Sequence, residues 1–106
     1  MKRIIIKFEY KCFPLWLYEN DIFVDNIFPE ILDDNEKLEK MFDELQEMFD
    51  SLYIDNDIEF SYVGFADELQ KELFVKKVCE AVDELKVKLN NDYVVDFSKE
   101  KLITNL

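Results

Sequence analysis

Two periods organise the apolar positions of this chain. In residues 3–10, Ile4, Ile6, Phe8 and Tyr10 fall on one side of an extended segment and Arg3, Lys7 and Glu9 on the other, which predicts a strand. A second apolar run, Phe13 to Tyr18, is followed by Glu19-Asn20-Asp21 and then Ile22-Phe23-Val24, the pattern of a hairpin closed by polar turn residues. Pro14 sets the start of that run at an edge or a bulge. Beyond Pro29, the pair Asp33 and Glu36 reads as a capping box with Asp in the Ser/Thr position. Leu38, Met41, Phe42, Leu45, Met48, Phe49 and Leu52 then repeat at helical spacing, with Glu36, Glu39, Lys40, Asp43, Glu47 and Asp50 opposite and Glu44 beside them. Ile58, Phe60 and Tyr62 alternate again as a strand. Gly64, the only glycine, suits the corner before the next helix. That helix is capped by Asp67, and its core stripe is read as Leu69, Leu73, Val78, Ala81, Val82, Leu85 and Leu89. Asn90-Asn91 turns the chain into a last strand over residues 93–97.

The order βββαβαβ predicts an α+β fold, a mainly antiparallel sheet of about five strands with two helices packed on one face. Strand order is not set by the pattern. At 106 residues the chain is read as one domain, residues 1–106. Ten Phe, five Tyr and one Trp promise an aromatic core. The longest uncharged run near the front, Cys12 to Tyr18, is far below the roughly 20 residues that span a bilayer, and the opening residues lack the apolar stretch of a secretory signal. The expected location is the cytoplasm, where Cys12 and Cys79 would be reduced packing residues.

With no histidine, the chain lacks Ser-His-Asp and Cys-His catalysis and zinc sites with His ligands. With one glycine it has neither a Walker loop nor a dinucleotide fingerprint. Carboxylates alone could still cleave glycosides or hold a hard cation, and Asp55-Asn56-Asp57 mimics the start of a calcium loop, but Phe60 stands where that motif needs glycine. The expectation is a protein that is not an enzyme and needs no cofactor or metal.

Charge changes the picture further. Twenty-five acidic against thirteen basic residues give a net charge of -12, which repels phosphate and disfavours direct nucleic-acid binding. The excess is regional: residues 19–59 hold fifteen acidic groups against Lys37 and Lys40, whereas residues 1–18 hold four basic groups and one acidic. A charged helix face is ordinarily its wet side. Here the run extends through Asp33 and Asp34 before the helix and Asp55 and Asp57 after it. Asp43, Glu44, Glu47 and Asp50, flanked by those four, therefore form a candidate contact face for a basic protein partner. Trp16 and Tyr18, on the strand side opposite Phe13, Leu15 and Leu17, are a second candidate contact, since Trp and Tyr frequently anchor interfaces; cover by a loop or terminus would remove it. Oligomeric state is open.

Lys7-Phe8-Glu9-Tyr10, the run Cys12-Phe13-Pro14-Leu15-Trp16-Leu17-Tyr18, Asp25-Asn26 and Phe60-Ser61-Tyr62-Val63-Gly64-Phe65 together resemble small immunity proteins of bacterial polymorphic-toxin and contact-dependent growth inhibition systems. The resemblance spans residues 4–65 and carries no invariant functional residue. It implies a cytoplasmic inhibitor that binds and blocks the C-terminal toxin domain of a neighbouring cell's effector, commonly a nuclease. The alternative is a nucleic-acid mimic that inhibits a host nuclease or another DNA-binding protein, its carboxylates spaced like phosphates.

Overall fold

A computed structural model describes residues 1–106. The elements run β1 (Lys2–Ile6), β2 (Leu15–Glu19), β3 (Ile22–Asp25), a 3-10 turn at Glu30–Leu32, α1 (Glu36–Asp50), β4 (Tyr53–Asp55), β5 (Phe60–Tyr62), α2 (Glu68–Lys88), β6 (Tyr93–Asp96) and α3 (Lys99–Asn105). The class is α+β, as the pattern predicts. The expected single sheet is instead two: a four-stranded sheet in the order β3-β2-β1-β6 and a separate β4-β5 hairpin. The larger sheet is mixed, because β6 pairs parallel with β1, Lys2 opposite Tyr93 through Ile5 opposite Asp96. A parallel pair needs a crossover connection, and α2 supplies its last leg.

The predicted first strand is too long. β1 stops at Ile6, and residues 7–14 form a loop in which the Lys7 N–H donates to Pro14 O and the Cys12 N–H to Glu9 O, with Lys11 at a φ of 55°. Phe8 still reaches the core, where its ring centroid lies 5.6 Å from Phe49 and 5.3 Å from Phe74. The β2-β3 hairpin is closed as expected, and Asn20 and Asp21 take φ values of 51° and 66°, the left-handed pair that a two-residue turn requires. β2 is an interior strand, so Pro14 marks neither an edge nor the bulge, which lies between Leu17 and Tyr18; it precedes the first paired residue, where a missing N–H costs nothing.

Ile4, Ile6 and Leu15 on one sheet face meet Leu38, Phe42, Leu45 and Phe49 of α1 and Phe74, Val78, Ala81, Val82 and Leu85 of α2 in one buried cluster. The N-cap of α1 is Asn35, whose side chain accepts from the Leu38 N–H at 3.3 Å; Asp33 instead ends the preceding 3-10 turn, so the Asp33-Glu36 capping box does not form. Asp67 does cap α2, accepting from the Gln70 N–H at 2.8 Å.

The expected α2 stripe is wrong at its start: Leu69 and Leu73 are 76% and 49% exposed, and Phe74 and Val75 are buried in their place. Leu73 stands five residues before Val78, a spacing that turns it roughly 140° from the stripe. Two elements escaped the pattern altogether. β4 is three residues long and follows Leu52 without a break in apolarity, and α3, capped by Ser98, spans less than the length at which a helical period shows. Leu102 and Leu106 fasten α3 and the C-terminus to the core. Cys12 and Cys79 are free and half-buried, and no helix is long and apolar enough to cross a membrane.

Candidate functional site

α1 presents its apolar stripe to the core, so the opposite positions are forced outward. Asp43, Glu44 and Glu47 are exposed there, and Asp50 is half-buried at the end of the helix. Fifteen residues make a ridge about 22 Å long. Exposed Asp33 and Asp34 precede it, and exposed Asp55 and Asp57 follow it on β4 and the next turn. The chain's one ion pair is Lys7–Glu9 at 3.0 Å, so none of these eight carboxylates is neutralised by a contacting cation. The last turn of α1 carries no basic residue. Glu47 and Asp50 thus sit at the negative end of the helix dipole, where added negative charge is unfavourable. The helix dipole does not account for acids at that end.

Asp50 has a structural task as well. Its Oδ1 accepts from the Lys11 backbone N–H and from Gln46 Nε2, both at 2.8 Å, and Gln46 Nε2 also donates to Glu9 O at 2.9 Å. These bonds stitch the 7–14 loop to α1 and set Tyr10 beside β4. The Tyr10 hydroxyl donates to Asp55 Oδ2 at 3.0 Å, and its ring lies 4.6 Å from Tyr53 and 5.1 Å from Phe60. Desolvation within this cluster, the hydrogen bond to Asp55 and the negative charges of Asp55 and Asp50 push the Tyr10 phenol above its ordinary value. Desolvation, then Tyr53, does the same for Tyr62. At the hairpin turn Asn56 Oδ1 accepts from the Ile58 and Glu59 N–H groups, so the calcium-like segment is an Asx-type turn. Nowhere do three or more His, Cys, Asp or Glu side chains converge as a metal site would need.

The family model of the Serratia CdiI immunity protein-like proteins matches residues 2–100. The chain belongs to this family. The match runs from β1 into the start of α3 and so covers the acidic ridge, the hairpin and both faces of the sheet. No curated protein matches the sequence significantly. Membership of an immunity family implies a cognate toxin as the binding partner.

Within this family member the ten residues singled out from sequence fall in two places. The eight carboxylates line α1 and its two ends. Trp16 and Tyr18 do not join them: they point from the sheet face that carries no helix, outside the main core, and cluster with Phe23, whose centroid is 6.1 Å from Trp16 and 5.6 Å from Tyr18. Both are half-buried, with Lys7 Nζ over the Trp16 ring at 5.7 Å and Trp16 Nε1 donating to Lys7 O at 2.9 Å. The residues that sequence reading missed are Tyr10, Tyr53, Phe60 and Tyr62, which collect at the C-terminal end of the ridge. One signal could have found all of them but Tyr10. Phe49, Tyr53, Phe60, Tyr62 and Phe65 crowd the stretch that also holds Asp50, Asp55 and Asp57, an unusual mixture of aromatic and acidic residues.

Proposed function

We infer that this chain is an immunity protein that binds and neutralises a cognate toxin domain, a basic nuclease, through the acidic surface of α1 and its flanks. The observation that carries the reading is the unneutralised ridge: Asp33, Asp34, Asp43, Glu44, Glu47, Asp50, Asp55 and Asp57 make no ion pair within the chain, and Glu47 and Asp50 sit at the end of α1 where the helix dipole disfavours negative charge. Enzymes that act on nucleic acid present basic clefts, and complementary potentials both speed encounter and exclude wrong partners. In this reading the protein acts in the cytoplasm, by binding alone, and Trp16 with Tyr18 forms a second contact surface on the far side of the sheet.

The test replaces Asp43, Glu44 and Glu47 together by Lys and measures affinity for the C-terminal toxin domain encoded immediately upstream. Binding by the wild-type chain should weaken steeply with added salt, and the triple variant should bind at least about tenfold more weakly with a flatter salt dependence. Affinity indifferent to both salt and charge reversal would make the ridge a solvated face only.

A further inference from the structure

The β4-β5 hairpin stands apart from the larger sheet and pairs with no third strand. Such a ribbon is marginal in water by itself. This one is pinned along its length. Asp55 holds the Tyr10 hydroxyl, Tyr53 stacks on Phe60 at 5.5 Å, Leu52 O accepts from the Val63 and Gly64 N–H groups, and the Tyr62 hydroxyl donates to Leu106 O. Its turn is closed by the two bonds to Asn56 Oδ1 and by the Asn56 N–H donating to Glu59 O at 3.0 Å.

What this ordered ribbon displays is apolar. Ile58 is 94% exposed at the tip, Phe60 is 58% exposed, and Tyr62 and Val63 are exposed beside them. Scattered exposed apolar residues need no explanation. Ile58, Phe60 and Tyr62 fall at alternate positions along one braced element, with Asp55, Asp57 and Glu59 around them, the arrangement of an interface anchor inside a charged rim. Preorganisation also favours binding, because little conformational freedom is left to lose. The rim decides the occupant. A second copy would set acidic tip against acidic tip, and nucleic acid would meet the same repulsion. A basic protein surface matches, because guanidinium groups can lie over Phe60 and Tyr62 while pairing with Asp57 and Glu59.

We propose that the β4-β5 hairpin is the apolar anchor of the toxin interface, with Ile58 and Phe60 entering a recess rimmed by arginine or lysine on the toxin domain. The proposal rests on the immunity reading and adds the site at which the partner is held. The acidic ridge steers the encounter; the hairpin sets how long the complex lasts.

Ile58→Ala and Phe60→Ala, made singly, are titrated against the C-terminal toxin domain encoded upstream, with dissociation followed by surface plasmon resonance and folding by thermal melting. Ile58→Ala should keep the wild-type melting temperature, since its side chain lies almost wholly in solvent. Each variant should raise Kd about tenfold or more, chiefly through faster dissociation, with the salt dependence unchanged. If both stay within about twofold of wild type while the Asp43-Glu44-Glu47 reversal weakens binding, the anchor is overturned and the immunity reading stands. If the wild-type chain does not bind the domain, both fall.

Discussion

Asp50 Oδ1 takes two hydrogen bonds of 2.8 Å, one from Gln46 Nε2 a helical turn earlier and one from the Lys11 backbone N–H. A residue of the acidic ridge thereby also fastens the 7–14 loop. Asp50→Ala should lower unfolding free energy by about 1–3 kcal/mol, read from urea denaturation, and Asp50→Asn, which retains the acceptor oxygen, by less. Gln46 Nε2 would keep only its bond to Glu9 O, and the Lys11 N–H would lose its acceptor. Binding tests should therefore reverse Asp43, Glu44 and Glu47 rather than Asp50.

Alkaline pH should loosen the Tyr10–Asp55 bond. Because the folded-state phenol of Tyr10 is raised above its unfolded value, the folded state holds its proton longer than the unfolded chain does. The stabilisation is complete below the ordinary phenol range and is lost as pH rises through the folded value. Melting temperature should fall more steeply above about pH 10 in the wild type than in Tyr10→Phe. Parallel curves would show that the hydroxyl contributes nothing.

Gly64 has a φ of +75°, and a Cβ built there meets only the Tyr62 ring at 3.6 Å, an ordinary contact. Space is not the obstacle; backbone conformation is. Gly64→Ala should cost about 1–2 kcal/mol in chemical denaturation, with the Leu52–Val63–Gly64 bonds retained.

A net charge of -12 with one ion pair means that the folded chain repels itself. Raising sodium chloride from low to near-molar concentration should raise the melting temperature, most of the gain coming as the screening length falls to about 8 Å. The Asp43-Glu44-Glu47 reversal should melt no lower than wild type at low salt. A melting temperature independent of salt would contradict this account.

Much was legible before folding was considered. Alternation marked Ile4 and Ile6, the polar run Glu19-Asn20-Asp21 marked the hairpin turn, Asp67 marked a cap, and the 3–4 spacing from Leu38 to Leu52 marked α1 and hence the outward direction of Asp43, Glu44 and Glu47. These are local signals, read from a few residues of spacing. Where two neighbours competed, local reading failed: Asn35 rather than Asp33 caps α1, and Phe74 rather than Leu73 faces the core.

The sequence by itself determined which residues are acidic, where they crowd, and that helical spacing turns most of them to one side. Only the tertiary structure decided that β6 lies parallel to β1, that Trp16 and Tyr18 face away from the acidic ridge, and that Tyr10, from the first loop, meets Tyr53 and Phe60 beside it. Spacing along the chain sets the direction of a side chain within its own element. Which elements meet is settled by long-range burial and by bonds such as Lys11 to Asp50, whose partners lie 39 residues apart.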